Sequence, residues 1–310
     1  MAAYNVEIIN NGGSITVSDN QYLQAGQTLT FRAPNNNLDL YANSLGQVIV
    51  PLTDPVLGPQ APALTIEAGA LRVFHRSSPT LELPALGTSA VNVGTIEIFY
   101  ENGGGGPDPT PPLILSADGP NGGVLTVNLN SINIGSGSGQ VILYARGLGS
   151  NPGEGHGGTI NLTINDPLFI PDNIVVDAGP NLLSGLAVNG GTYNVKSSNG
   201  SVTIGSFGSG VGFHADGANG GNGGTISLDA SNGLFVDGDL SASSAGGDGG
   251  RIGFIDRSSN GLTVGQGVTG ASYVTGRLNV DGNFATGFVS ISALGAINLD
   301  NPDNVFGTNQ

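Results

Sequence analysis

The sequence predicts an all-β chain, a right-handed parallel β-helix with about three strands per coil preceded by a smaller β-rich domain. Three observations carry this expectation. The first is composition: of 310 residues 54 are glycine and only 10% are charged, while β-branched and apolar residues alternate in short runs such as VLTVNL, TINLTI and SVTIGS. Runs of this kind between glycines and asparagines predict short strands joined by tight turns, not helices or a disordered Gly-rich coil. The second is a recurring opening, a polar residue and two glycines ahead of a strand. It reads NGGSI at Asn11, NGGVL at Asn121, HGGTI at His156, NGGTY at Asn189, NGGTI at Asn222 and DGGRI at Asp248. The third is spacing: from Asn121 on, the intervals are 35, 33, 33 and 26 residues, near enough to a fixed period to mark an internal repeat.

Taken in order, residues 1–102 hold the runs YNVEII, SITV, QTLTFRA, LDLYA, QVIVPL, ALTIEA, LRVFHR and TIEIFYE. Their period-two alternation predicts a β-rich N-terminal domain, sandwich-like or cap-like. Pro51, Pro55, Pro59 and Pro62 place an extended loop inside it, because proline cannot donate to a central ladder. Residues 103–112, GGGGPDPTPP, read as a linker: a flexible joint and then a stiff spacer.

Residues 113–310 are the predicted β-helix. Successive units run TINLTIN, LFI, IVVDAG; then TYNVKSS, SVTIGS, VGFHADG; then TISLDAS, LFVDG, DLSASSAG; then RIGFIDR and LTVGQ. About three short strands per unit and no helical periodicity exclude leucine-rich and ankyrin repeats. In a solenoid each strand pairs with its equivalent one coil away, so inward positions stack. Ile160, Tyr193, Ile226 and Ile252 share one register and predict an apolar ladder. Asn121, His156, Asn189, Asn222 and Asp248 share one turn position and are expected to stack at a corner. The glycines after them are expected because the chain there must reach φ > 0 while neighbouring coils stay close.

The stretch NGGTISLDASNGLFVDGDLSASSAGGDGG, residues 222–250, resembles the Gly-rich repeats of filamentous-haemagglutinin-type secreted proteins, in particular the haemagglutination-like exoproteins of cyanobacteria. The resemblance extends over about residues 113–300. It implies a parallel β-helix at the cell surface or in the extracellular matrix.

Charge narrows the partners. The net charge is −15, from 23 acidic and 8 basic residues, and Lys196 is the single lysine. Phosphate backbones and anionic membrane surfaces need clustered Lys and Arg, so neither is expected as a partner. Without cysteine there is no disulfide, thiol chemistry or cysteine-liganded zinc. No run approaches the roughly 18 apolar residues of a membrane span. The opening MAAYNVEIINN carries no secretory-signal pattern, so any export signal is expected to have been removed or to lie elsewhere.

Several side chains invite a chemical reading, each beside a structural one. Glu154 and His156 resemble an acid/base or metal pair, but His156 occupies the turn position that asparagine and aspartate fill in other units. His214 and Asp216 raise the same question at a strand end. Asp237, Asp239, Asp248 and Asp256 are the densest acidic group and the candidates for calcium through oxygen ligands; GGDGGRIGF does not supply the tandem aspartates of the nonapeptide calcium repeat, so no cofactor is expected. A sugar lyase would need a base near acidic residues, for which the repeat region offers Lys196, Arg146, Arg251, Arg257 and Arg277. A hydrolase would need paired carboxylates about 5 to 10 Å apart, for which Asp166, Asp172 and Asp177 are candidates, though scattered over turns.

The functional expectation is therefore a non-enzymatic structural or adhesive protein of the cell exterior. It would assemble with copies of itself, head to tail, into filaments or a surface layer, with glycans or cell-surface components as further partners. The alternatives are a carbohydrate-active enzyme, such as a polysaccharide depolymerase, on the same fold, or a phage-type fibre protein.

Overall fold

The computed structural model describes residues 5–17, 21–23, 28–41, 49–51, 63–75, 81–84, 88–100, 113–133, 141–170, 174–181, 185–204, 212–264, 272–275 and 278–299. The chain is all-β. Among the described residues there is no helix, and the strands pair in parallel. Segment 103–112, expected to be a linker, lies outside the described residues, as do Asp172 and Arg277. Two compact units are distinguished, one of residues 1–119, 123–145 and 173–175, the other of residues 120–122, 146–172 and 176–310.

In the first unit the strands Asn5–Ile9, Thr28–Tyr41, Ala63–His75, Thr88–Tyr100 and Val124–Asn133 pair in that order. Strands on either side of segment 103–112 are thus direct neighbours, with Val124 opposite Thr88 and Asn133 opposite Glu97. A second sheet runs from Leu81–Pro84 through Leu113–Ser116 to Val141–Tyr144. Alternation decides which side chains are inside. Leu29, Phe31 and Ala33 stack on Leu64, Ile66 and Ala68, and all six are buried. The polar positions between them face out and pair by charge: Arg32 reaches Glu7 at 3.0 Å and Glu67 at 2.8 Å. Arg72 forks onto both oxygens of Asp39 at 2.7 Å.

The second unit repeats one theme. Five six-residue strands, Thr159–Ile164, Thr192–Ser197, Thr225–Ala230, Arg251–Asp256 and Phe288–Ala293, pair consecutively without a register shift. Ile160, Tyr193, Ile226 and Ile252 are in register, each at most 1% exposed. Burial of each such side chain contributes about 1.5–3 kcal/mol. Tyr193 replaces an aliphatic residue in this column without a stranded hydroxyl. Its phenol accepts from the Ala178 amide at 2.9 Å and donates to the His214 carbonyl at 3.0 Å, with the ring stacked on Phe213. Burial pushes the phenol far above its ordinary range, so it stays un-ionised.

A second sheet of this unit takes Leu168–Ile170, Val202–Ile204, Leu234–Val236, Tyr273–Val274, Leu262–Val264 and Ile297–Leu299, in that spatial order. Tyr273–Val274 is out of sequence: it lies between Leu234–Val236 and Leu262–Val264. A third sheet joins Phe213–His214, Leu240–Ser241 and Leu278–Asn279.

The glycines of the recurring motif have a cause that differs from the sequence expectation in one respect. None of Gly190, Gly191, Gly223, Gly224, Gly249 and Gly250 has a positive φ; close backbone approach alone excludes a side chain. A Cβ on Gly224 would collide with the Gly191 carbonyl of the preceding repeat. Positive φ occurs in the following turn instead, at Gly233 (111°) and Gly261 (80°), where glycine adopts a conformation that L side chains resist.

Candidate functional site

The polar residue of each motif meets its counterpart in the next repeat. The Asn121 Oδ1 accepts from the His156 amide at 3.2 Å, and the His156 Nδ1 accepts from the Asn189 amide at 3.0 Å. Asn189 Oδ1 then accepts from the Asn222 amide at 2.9 Å, and Asn222 Oδ1 from the Asp248 amide at 3.0 Å. A return bond closes each rung. The amides of Gly122, Gly157, Gly190 and Gly223 donate to the carbonyls of His156, Asn189, Asn222 and Asp248, at 2.8 to 3.0 Å. Every rung is thus a two-bond exchange between consecutive turns, and each bond contributes about 0.5–1.5 kcal/mol. A side-chain acceptor one carbon beyond Cβ is what the geometry requires, which is why Asn, and once His, fill the position.

His214 and Asp216 do come together, at the end of the short strand Phe213–His214. The His214 Nδ1 lies 3.7 Å from Asp216 Oδ2. The other carboxylate oxygen accepts from the Ser241 hydroxyl at 2.5 Å, the Ser243 amide at 2.7 Å and the Ser243 hydroxyl at 2.8 Å. Asp216 holds the imidazole above its ordinary value, against the opposing effect of burial. Burial would raise the Asp216 carboxyl, yet the neighbouring His214 imidazole and the bonds from Ser241 and Ser243 outweigh it and bring it down to about 2. Both serines spend their hydroxyl protons on the carboxylate, so the group orients a turn and presents no hydroxyl to the imidazole. Sequence reasoning did not identify Ser241 and Ser243. They lie 25 and 27 residues from Asp216, with no repeated letter to mark them.

The remaining candidates are dispersed. Glu154 turns to Asn151, accepting from its amide at 3.2 Å and side-chain nitrogen at 2.9 Å, while His156 turns to Asn189. Asp177 accepts from the Gly179 amide at 2.8 Å, and Asp166 is exposed and contributes its carbonyl to Ser197. Of the acidic group, Asp237 accepts from Tyr273 and Thr275, and Asp239 and Asp248 are exposed. Asp256 is 1% exposed and accepts from the Ser258 amide at 2.9 Å. Among the described residues no three His, Asp or Glu side chains converge to hold a metal ion. Lys196 is exposed beside Asp229 in the next strand, Arg257 forks onto Asp229 at 2.8 and 2.9 Å, Arg251 lies 4.3 Å over the Phe288 ring, and Arg146 is half-buried.

Comparisons with protein-family models, curated proteins and solved structures return no match. Among the described residues no helix is long and apolar enough to cross a membrane.

Proposed function

We propose that this chain is an extracellular structural or adhesive protein, a right-handed parallel β-helix that joins copies of itself end to end at a cell surface or in a matrix. The observation that carries the reading is the pairing of each strand of the second unit with its equivalent one repeat on, in parallel and in register, with the Asn/His rungs at the turns. Stacked repeats of this kind invest their polar side chains in joining neighbours, which suits a rod.

Assembly is supported by the terminal strands. Among the described residues Phe288–Ala293 is bonded on one side only, to Arg251–Asp256, and Phe284 (79%), Leu294 (74%), Phe288 (51%) and Ile297 (45%) are exposed around it. In the first unit, among the described residues, Asn5–Ile9 is bonded only to Thr28–Tyr41 and exposes Val6 and Ile9. An unpaired edge is a template for another strand, and a contact between two different edges propagates without closing. The net charge of −15 opposes association and is screened by salt.

Sedimentation and electron microscopy of the purified protein test this. Filaments or end-to-end oligomers should form at high concentration and increase with salt, and Phe288→Asp should suppress them. Monomers under all these conditions, or release of sugar fragments from a polysaccharide by the protein, would replace the reading with a monomeric adhesive module or a depolymerase.

A further inference from the structure

We propose that His156 is an acid-sensitive rung: when its imidazole takes up a proton, the join between the His156 and Asn189 turns opens. The four rungs are alike in geometry and unlike in chemistry. Three of them use an asparagine Oδ1 as acceptor, which does not titrate; the fourth uses the Nδ1 of His156, accepting from the Asn189 amide at 3.0 Å. Acceptance at Nδ1 requires its lone pair, hence the neutral ring with the proton on Nε2. In the imidazolium both nitrogens are donors. Nδ1–H would then face the Asn189 N–H, two donors at hydrogen-bond distance, and the ring must swing away.

The change is confined to one turn. The return bond from the Gly157 amide to the Asn189 carbonyl, at 3.0 Å, does not involve the ring and persists. His156 is half-buried, and Asn189 is exposed, so water can take over the freed amide. The charged groups on the segments packed around His156 are Glu154 on its own turn, already held by Asn151, Arg146 before Gly147, and Asp177 before Ala178, whose carbonyl accepts from Gly158; Asp118 precedes the Asn121 turn. Among the described residues the imidazole makes no ion pair in this geometry. The inference rests on this hydrogen-bond pattern alone and does not depend on end-to-end assembly.

The experiment is a pH titration of the dilute, low-salt protein between about pH 8 and about pH 5, which spans the ordinary histidine range. In the wild type, the Asn189 amide resonance should shift in step with the His156 ring resonances. Over the same range, wild-type Tm should fall relative to H156N by about 1–2 °C, the scale of one hydrogen bond in a chain of this size. Asparagine restores the acceptor found in the other rungs, and effects from other titrating groups are common to both proteins and cancel in the difference. An Asn189 amide indifferent to protonation of His156, or an H156N protein with the wild-type pH response, would overturn the proposal. Should H156N fail to fold, the wild-type titration decides alone. Because only monomers are measured, failure here leaves the assembly reading intact, and absence of filaments leaves this one intact.

Discussion

Ile226 and Ser227 are neighbours in the chain and opposites in environment. Ile226 is fully buried in the column with Tyr193 and Ile252, whereas Ser227 faces out between Asn194 and Gly253. Ile226→Asp should therefore cost about 4 kcal/mol or more, the scale of a buried unpaired charge, and Ser227→Asp within about 0.5 kcal/mol. Denaturant melts showing equal losses would contradict the register. The His214 and Asp216 pair makes a prediction in pH. His214 is held above its ordinary value, so the stability it contributes is fully present below the unfolded histidine value and is lost as pH rises through the raised folded value. Asp216, lowered to about 2, contributes stability that is present above its unfolded value of 3.8 and lost as pH falls towards 2. Asp216→Asn should flatten both limbs of a Tm-against-pH profile, and a variant retaining the wild-type profile would refute the pairing. Much at this scale was legible: the repeat interval together with alternation put Ile160, Tyr193, Ile226 and Ile252 in one column. The fate of the Tyr193 hydroxyl was not, because its partners, Ala178 and His214, come from two other segments.

At the scale of the element, the motif's glycines set how closely two repeats approach. Gly224→Ala places a methyl group against the Gly190–Gly191 backbone, which cannot give way as a flexible side chain would. The expected cost is about 1–3 kcal/mol, the range for overpacking, measurable as a lower Tm with little change in circular dichroism. A neutral Gly224→Ala would show that the repeats can move apart. Sequence reading located these glycines and attributed them to close approach and to positive φ together; only the first operates at the motif, and the second belongs to Gly233 and Gly261. The distinction is invisible in a string of letters, since glycine answers both needs. The turn position held by Asn121, His156, Asn189, Asn222 and Asp248 was legible from spacing, but its bonding was not. That a side chain accepts from the next turn's amide, and that histidine can do so only when neutral, emerges from atoms.

For the whole molecule, the all-β class followed from composition and alternation, while partner choice in residues 5–100 did not. Arg32 meets Glu67 and Arg72 meets Asp39, separations of 35 and 33 residues close to the later repeat interval, yet no run of polar-Gly-Gly motifs marks that period there. Charge pairs carry it instead, and they are few. One irregularity of the second unit has a mechanical consequence. Between the levels of Leu234–Val236 and Ile297–Leu299 the second sheet fits two strands, Tyr273–Val274 and Leu262–Val264, whereas the main sheet fits one, Arg251–Asp256, between Thr225–Ala230 and Phe288–Ala293. Each strand occupies about 4.8 Å along the stacking direction. Over that interval the second sheet must accommodate one strand width more than the main sheet, as with an extra half-row in a brick column.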